Sequence, residues 1–442
     1  MPQSSPLAFT ELDVRAVART LARLAAAEAK VADAFFERRE VLELPRPGCV
    51  PGVRLWREEG LALRLSEGMR SWVASRDGVD NDRYATAYRQ VARRPIERAP
   101  LGDFALRLGG WPEPPPPEPL LELPHALERL LRQSGAAFPF QLLARRHRRW
   151  VQVVGDRVTP PAQEEGFFSL AVDHPAGRYG CLLTQLESAQ LAGVAQALVE
   201  QVQARNAEPP HAGRTSVVLG AAATAVFLHE AVAHSLEADT LALAGDPERA
   251  VGAPIAARSL SLLDDPSAAP DGVRRSADDE GMAVVRRWLL RDGVVEQPLA
   301  DLAFSSAGRL EPGAGWRADR HHPASPRTYH LELLAGEASR EELLAGVGLY
   351  VARIERGLLD PVRGRVTLHV PGARVFSAGE LGARVGPFVV RGTVTALLHS
   401  VEAVGRDRQV AGAGWCAKGG AKVPVWASTP ALRLERVEVG RA

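Results

Sequence analysis

The chain has 442 residues, more than one ordinary hydrophobic core supports, so two or three domains are expected. Hydrophobic residues make up 46% of it and charged residues 24%, as in soluble globular proteins, and no apolar run is long enough to cross a membrane. The formal net charge of +1 argues against a nucleic-acid partner, and three widely spaced cysteines without a secretory signal favour a reducing cytoplasm.

The first half is expected to mix helices and strands. Residues 9–30 place apolar side chains at helical spacing after Thr10, which we expect to cap the helix. Residues 31–45 alternate like a strand, and residues 53–68 indicate a strand, a turn and a second strand. The proline-rich residues 111–119 predict a polyproline loop inside this domain. The remaining patterns predict two helices and two strands, at 120–135, 185–206, 150–155 and 166–174.

One basic run stands out in this half, from Arg145 to Arg149 with a histidine at its centre. A basic run can bind nucleic acid, but the nearly balanced charge of the whole chain argues against that here. We therefore expect a solvated face or a contact between domains.

A loop with two prolines at 208–213 is the best domain boundary, dividing the chain into an N-terminal domain, 1–212, and a C-terminal domain, 213–442. A short strand at 216–220 then enters an alanine-rich helix over 221–239. Ser339 and Glu342 have capping-box spacing and predict a later helix. The other patterned segments are strand-like, at 283–295, 365–372, 388–398 and 432–440. The predicted fold class is α+β: a mixed N-terminal α/β domain, then a largely β C-terminal domain with one buried metal-binding helix.

The alanine-rich helix contains His229, Glu230 and His234. Neutral imidazoles bind zinc, and an adjacent carboxylate can take a proton from a zinc-activated water. On a straight α-helix a spacing of five rotates the second histidine by about 140° from the first. Both can therefore bind one ion only if the helix widens between them. We therefore predict a π-type distortion at 230–234. Accidental or structural histidines are the alternative interpretation.

A catalytic zinc site needs a third protein ligand. Cys416 lies in a glycine-rich loop beside Lys418, one of only three lysines in the chain, whose charge favours a thiolate. Cys49 and Cys181 lack such a setting and are expected to be small buried residues. The residues alone leave several candidates for the third ligand: Glu237, Asp239, His321, His322 and Cys416.

Several ordered motifs resemble the TldD/PmbA family of zinc metallopeptidases, also called the modulator-of-DNA-gyrase family. They are VVLG followed by LHEAVAHSLEAD at 217–239, DDEG at 278–281, PRTYHLELLAG at 326–336, the segment 348–373 and GWCAKGGAKVPV at 414–425. The resemblance implies that His229, His234 and Cys416 hold zinc and that Glu230 is the general base. It also implies cleavage of short or unstructured peptides by a homodimer, or by a heterodimer with a paralogue that lacks the metal motif.

Four further residues are candidates for supporting roles. Glu237 and Asp239 are expected to orient His229 or His234, or else to cap the end of the helix. Lys418 and Arg327 could stabilise an oxyanion or grip a peptide carboxylate, although Arg327 could equally be a surface or interface arginine.

The predicted function is thus zinc-dependent hydrolysis of peptide bonds. One alternative is a catalytically weak or inactive partner subunit of a TldD/TldE-type heterodimer. Glu230 argues against this alternative, because a purely structural zinc site needs no base. The other alternative is a hydrolase of non-peptide amides, which the sequence cannot distinguish from a peptidase.

Overall fold

The fold is α+β, as predicted. The computed structural model describes residue 9 and residues 11–28, 31–46, 52–67, 70–92, 106, 108–155, 158–308 and 310–441. Within this part of the chain, no helix is both long and apolar enough to cross a membrane.

The N-terminal half is built on an antiparallel sheet. Its described strands are β1 Val31–Leu44, β2 Arg54–Glu67, β3 Arg70–Asp77, β4 Gln141–Gly155, β5 Gln163–His174 and β6 Gly177–Leu183. They lie in the order β3-β2-β1-β4-β5-β6. The helices of this half are α1 Val14–Glu28, α2 Asn81–Val91, α3 Glu118–Leu121, α4 Leu123–Gln133 and α5 Ser188–Ala204. Leucine and valine side chains on these helices form two apolar clusters with side chains of the sheet.

Three details of this half differ from the sequence predictions. The predicted strand, turn and strand over 53–68 is one continuous strand, β2, because every residue from Arg54 to Ser66 pairs with β1. The first helix begins only at Val14, where the Asp13 carboxylate accepts a hydrogen bond from the backbone N–H of Ala16 and caps the helix. Thr10 lies outside the described residues. The proline-rich loop ends before Glu118, where α3 begins with a proline in its first turn.

The C-terminal half is largely β. Its strands are β7 Gly213–Leu219, β8 Leu262–Asp264, β9 Arg287–Arg291, β10 Val294–Val295, β11 Gly315–Trp316, β12 Ser325–Pro326, β13 His330–Leu333, β14 Val347–Val351, β15 Arg356–Asp360, β16 Arg365–Val370, β17 Ala373–Ser377, β18 Glu380–Val385, β19 Phe388–Thr393, β20 Val401–Val404, β21 Gln409–Lys418, β22 Ala421–Thr429 and β23 Leu432–Arg441. Its α-helices are α6 Ala221–Leu228, α7 Ala238–Leu241, α8 Leu302–Ala307, α9 Arg340–Leu343 and α10 Val394–His399.

Most of these strands form two sheets. Among the described residues, one sheet has the order β15-β16-β19-β23-β7-β14-β17-β18, with β20 paired to β23, and the other has the order β10-β9-β8-β13-β22-β21. The predicted capping box at the start of α9 is confirmed in both of its hydrogen bonds. The strand-like segment 388–398 is only half strand, because Thr393 caps α10 and the chain turns helical there. The division of the chain at residue 212 remains a prediction.

The alanine-rich helix α6 is packed inside the C-terminal half. Phe227 and Leu228 belong to an apolar cluster that also contains Val217 of β7, Leu349 of β14 and Ala427 of β22. The alanines of α6 allow both sheets to approach the helix backbone closely. This burial places the residues after Leu228 between the two sheets.

The two halves are joined by buried charges. Asp33 of β1 lies on the face of the N-terminal sheet opposite α1 and α2, where its carboxylate accepts from Arg64 Nε at 2.6 Å and from Arg317 Nη2 at 3.1 Å. Arg64 also pairs with Glu280 of the C-terminal half. Each of these side chains is at most 3% exposed. Since an unpaired charge is costly to bury, each group holds its partners in place across the junction.

The basic run at 145–149 forms part of this junction. Arg145 pairs with Glu43, and Arg149 pairs with Glu37 of the N-terminal sheet and with Asp279 of the C-terminal half. Arg149 therefore joins the two halves of the chain, whereas Arg145 pairs within the N-terminal sheet.

Candidate metal centre

The helix changes its pitch at the first histidine. Residues His229–Ala233 form a π-helical turn, in which the backbone N–H of His234 donates to the carbonyl oxygen of His229. The two imidazole rings consequently lie 4.5 Å apart, measured between ring centres, with a mutual angle of 68°. The predicted π-type distortion is confirmed, displaced by one residue.

Cys416 meets these histidines from the hairpin of β21 and β22. Its side chain is buried, and its sulfur lies 3.5 Å from Nε2 of His234. One nitrogen of each histidine and the Cys416 sulfur all lie within 4.8 Å of one another. These are the three residues that the family resemblance implies as ligands.

The three donor atoms fit zinc. Two imidazole nitrogens and one thiolate are a known zinc donor set, with bonds of about 2.0 to 2.1 Å for nitrogen and about 2.3 Å for sulfur. For a tetrahedral ion these bond lengths separate nitrogen from sulfur by about 3.6 Å. The observed distance of 3.5 Å between His234 Nε2 and Cys416 Sγ agrees with this spacing.

The surroundings of the cysteine favour its thiolate form. Burial opposes ionisation, but His229 and His234 outweigh it and lower the pKa of the Cys416 thiol to about 6. Arg327 adds a direct contact, because its Nη1 lies 3.1 Å from the sulfur and its Nη2 donates to the carbonyl oxygen of Lys418 at 2.7 Å. Arg327 is 1% exposed, so it is not a surface arginine. Its guanidinium holds both the cysteine and the end of β21, the strand that carries the cysteine where the sequence predicted a loop.

Glu237 orients the second histidine. Its Oε2 lies 2.9 Å from Nδ1 of His234, on the opposite side of the ring from the nitrogen that faces Cys416. A carboxylate in this position selects the tautomer and the ring angle that a metal needs. Burial opposes its ionisation, but His234 and Lys418 together lower the pKa of Glu237 to about 2.

Asp239 is linked to Glu237 through the ammonium group of Lys418. The Lys418 ammonium lies 2.6 Å from Glu237 Oε2 and 2.6 Å from Asp239 Oδ1, so two carboxylates already neutralise it. Asp239 therefore holds the lysine, and no contact between Asp239 and an imidazole is found in the described part of the chain. The other proposed third ligands, His321 and His322, face Ser75 and Asp319 instead.

Glu230 projects from the π-helical turn into a cavity of about 1020 Å³. Its side chain is half-buried, and among the described residues its carboxylate has no hydrogen-bond partner. Gly357 of β15 packs against it, and a methyl group at Gly357 would overlap the Glu230 side chain. Sequence reasoning gave Gly357 no role, although it lies inside the family motif at 348–373.

Both halves of the chain line the cavity. The N-terminal sheet contributes Leu143 and Tyr179, which carry no metal-ligand or nucleophile pattern in the sequence and were therefore not predicted. Cys181 also lines the cavity, but burial raises the pKa of its thiol to about 12, so it is an inert neighbour. Cys49 lies outside the described residues.

Comparison with known proteins identifies the family. A family model described as the PmbA/TldA metallopeptidase C-terminal domain matches residues 212–441, which is more than half of the chain. This chain belongs to the PmbA/TldD family. The family match contains both histidines, the glutamate and the cysteine of the site.

Two relatives have names that denote metalloproteases. A protein from Methanothermobacter thermautotrophicus named Metalloprotease is 31% identical over 244 residues, which are 54% of this chain and 53% of that protein. A Zinc metalloprotease TldD homolog from Saccharolobus solfataricus is 24% identical over 261 residues, which are 57% of this chain and 56% of that protein. The chain thus matches about half the length of these two relatives.

One solved structure shares the fold along the whole chain. The crystal structure of TldE from Thermococcus kodakarensis aligns with a TM-score of 0.72 over 96% of this chain and 100% of that one, at 18% identity. The N-terminal half, where the family model does not match, therefore has the same fold as that protein.

Proposed function

We propose that this PmbA/TldD chain hydrolyses peptide bonds with a zinc ion held by His229, His234 and Cys416. The observation that carries the proposal is the meeting of these three donors within 4.8 Å, beside a glutamate that projects into a large cavity. The names of the relatives, metalloprotease and zinc metalloprotease, support the reaction and the metal.

A bound zinc ion supplies Lewis-acid activation of the scissile carbonyl and of the attacking water. Glu230 accepts the proton of that water on its carboxylate and delivers it to the nitrogen of the leaving amine. The absence of a hydrogen-bond partner in the described residues leaves both of its oxygens available for this transfer. Glu237 keeps His234 in the required tautomer, and Arg327 keeps the Cys416 sulfur ionised and in position.

The edge of β15 offers a place for an extended peptide. Strand β15 is the terminal strand of its sheet and pairs only with β16 among the described residues, so its other edge offers backbone groups to a substrate strand. Gly357 lies on this strand against Glu230, so a peptide paired with β15 would pass the proposed base. A short or unstructured peptide fits this arrangement, because a folded substrate has no free strand to add.

We also propose that the chain works as a dimer in the cytoplasm, either with itself or with a paralogue. The whole-chain likeness to a protein named TldE supports the second arrangement. The inactive-subunit alternative is less consistent with the site, because all three donors and Glu230 are present together.

Glu230→Gln tests the proposed base. This variant should keep zinc, measured by elemental analysis, and lose about 100-fold or more in peptide turnover because the amide cannot accept the proton. Glu337→Gln, an exposed glutamate away from the cavity, is the matched control and should retain activity. Wild-type turnover in Glu230→Gln would refute the assignment.

Cys416→Ser tests the metal site independently. The variant should bind zinc much more weakly, since serine does not supply a thiolate. Cys181→Ser, which removes the other thiol at the cavity, should leave the zinc content unchanged. Equal zinc affinity in wild type and Cys416→Ser would move the third ligand elsewhere.

A further inference from the structure

The helix that leads to the proposed base is open to the cavity along one stripe. Between Ala221 and Glu230, Ala222 is exposed, Val226 and Glu230 are half-buried, and every other residue is buried. These three residues all line the cavity. They follow one another at intervals of four positions, which places side chains on one face of a helix. The stripe is therefore one wall of the cavity, with Glu230 at its C-terminal end.

Val226 lies next to the groups that the proposed reaction uses. It precedes His229 by three positions and Glu230 by four. Side chains at these spacings on a helix have Cβ atoms about 5 to 6 Å apart. A peptide whose scissile bond lies between the metal and Glu230 therefore brings a neighbouring side chain against Val226.

Strand β15 forms a second wall. It pairs with β16 over its full length without a bulge, so its side chains alternate between the two faces of the sheet. Gly357 faces Glu230, so Leu359 lies on the same face and Leu358 on the opposite one. Leu359 also lines the cavity.

These two walls are apolar. Val226 and Leu359 are both half-buried, and both pack against the apolar cluster that contains Phe227. Ile354, which belongs to that cluster and is 3% exposed, also lines the cavity. None of these side chains can form a hydrogen bond. A polar side chain bound against them would lose its hydrogen bonds with water and gain none in return.

We propose that Val226 and Leu359 form a subsite that binds an apolar aliphatic side chain of the peptide, at a residue adjoining the scissile bond. The inference rests on the proposed peptidase function and adds the substrate class to it. A peptide added to the free edge of β15 points alternate side chains to the face of the sheet on which Gly357 and Leu359 lie. The subsite receives one of these side chains.

The selectivity comes from the apolar surface that binding removes from water. Val226 and Leu359 keep part of their surface open to the cavity, and a leucine side chain covers more of it than the methyl group of an alanine. Asparagine has nearly the shape of leucine, but it enters only by giving up hydrogen bonds with water. The expected order of preference is therefore leucine, alanine, asparagine.

The experiment uses the zinc-loaded full chain and internally quenched peptides of glycine and serine that carry one central variable residue: leucine, alanine or asparagine. We expect cleavage next to the variable residue, located by mass spectrometry. The value of kcat/KM should be roughly tenfold higher for the leucine peptide than for the asparagine peptide. Equal kcat/KM for the three peptides would overturn the inference.

Variants of Val226 assign the preference to the subsite. Val226→Phe should fill the subsite and lower the leucine-to-alanine ratio of kcat/KM by roughly tenfold, and Val226→Ala should lower the leucine-to-asparagine ratio by roughly threefold. The matched control is Val394 of α10, which is half-buried against the same apolar cluster but does not line the cavity. Val394→Phe and Val394→Ala should leave both ratios unchanged. Wild-type ratios in both Val226 variants, with normal zinc content, would overturn the assignment.

A binding measurement separates this inference from the peptidase function. Fluorescence anisotropy with zinc-loaded Glu230→Gln protein gives the affinity for the same three peptides without turnover. Tighter binding of the leucine peptide, lost when Val226→Phe is added, supports the subsite. If the wild type nevertheless hydrolyses none of the peptides, the subsite stands and the proposed reaction is refuted. Equal affinities for the three peptides would overturn the subsite, and their hydrolysis by the wild type would leave the proposed reaction standing.

Discussion

At the scale of single residues, the site depends on side chains that position the proposed ligands and base. Arg327 donates to the Cys416 sulfur, Glu237 faces the Nδ1 of His234, and Gly357 leaves room for Glu230. Arg327 and Cys416 lie 89 positions apart, and Gly357 has no reactive side chain, so their roles come from the tertiary contacts. Glu237 is only three residues from His234, and its orienting role is among the sequence predictions.

Gly357→Ala tests the contact with the proposed base. The added methyl group would overlap the Glu230 side chain and displace its carboxylate, so kcat should fall by roughly tenfold or more while zinc content is preserved. Gly440→Ala in β23 of the same sheet has open space at the equivalent atom and is the control. Unchanged kcat in Gly357→Ala would show that the carboxylate is not confined there.

Arg327→Met tests the contact with the sulfur. Losing a partner of a metal ligand typically costs about 10-fold to 100-fold in metal affinity, so zinc should dissociate correspondingly more easily in a competition titration with a chelator. Arg327→Lys keeps the charge but not the two-pronged contact with Cys416 and Lys418, and should recover part of the affinity. Wild-type zinc affinity in the methionine variant would contradict this role.

At the scale of secondary-structure elements, strand β4 contains the basic run 145–149 and packs against the β21–β22 hairpin that carries Cys416. His147 of β4 stacks on Phe167 with ring centres 4.7 Å apart and meets the edge of Trp415, the neighbour of Cys416. Its Nε2 lies 2.8 Å from the hydroxyl of Ser169. Burial first, and then the charges of Arg39 and Arg145, lower the pKa of His147 to about 3.

This imidazole should make the fold sensitive to acid. In the unfolded chain histidine takes up a proton below about pH 6.5, whereas the folded His147 stays neutral until about pH 3. The unfolded state therefore binds more protons in this window, and the free energy of unfolding falls as pH falls, by on the order of 2 kcal/mol at pH 4.5. His147→Gln should remove this contribution to the pH dependence of the free energy of unfolding, measured by denaturant titrations between pH 7 and 4.5. His125→Gln, an exposed histidine of α4, should not, and equal slopes in wild type and His147→Gln would refute the assignment.

At the scale of the whole molecule, buried charges at the junction bring the N-terminal sheet over the metal centre. Asp33, Arg64 and Glu280 form a chain of ion pairs between the halves. The N-terminal sheet supplies part of the cavity lining, so the junction also determines the shape of the cavity.

Arg64→Met tests this junction. Removing the guanidinium leaves the Glu280 carboxylate buried without its ion-pair partner and leaves Asp33 with Arg317 alone, which should lower the free energy of unfolding by about 3 to 5 kcal/mol in urea titrations. Arg132→Met breaks a pair with Glu128 on the exposed face of α4 and should cost less than about 1 kcal/mol. Similar losses in both variants would show that the buried pairs do not stabilise the junction.

The sequence by itself determined what depends on neighbouring residues: the α+β class, the alanine-rich helix, the capping box, and the π-type turn that a spacing of five imposes on two histidines sharing an ion. It misjudged β2, where pairing with β1 along the full strand overrides a local turn signal. Only the tertiary structure decided which cation meets which carboxylate, that Arg327 contacts the sulfur, and that the N-terminal sheet completes the cavity. These contacts join residues such as His234 and Cys416, 182 positions apart, and no local periodicity or propensity encodes such a meeting.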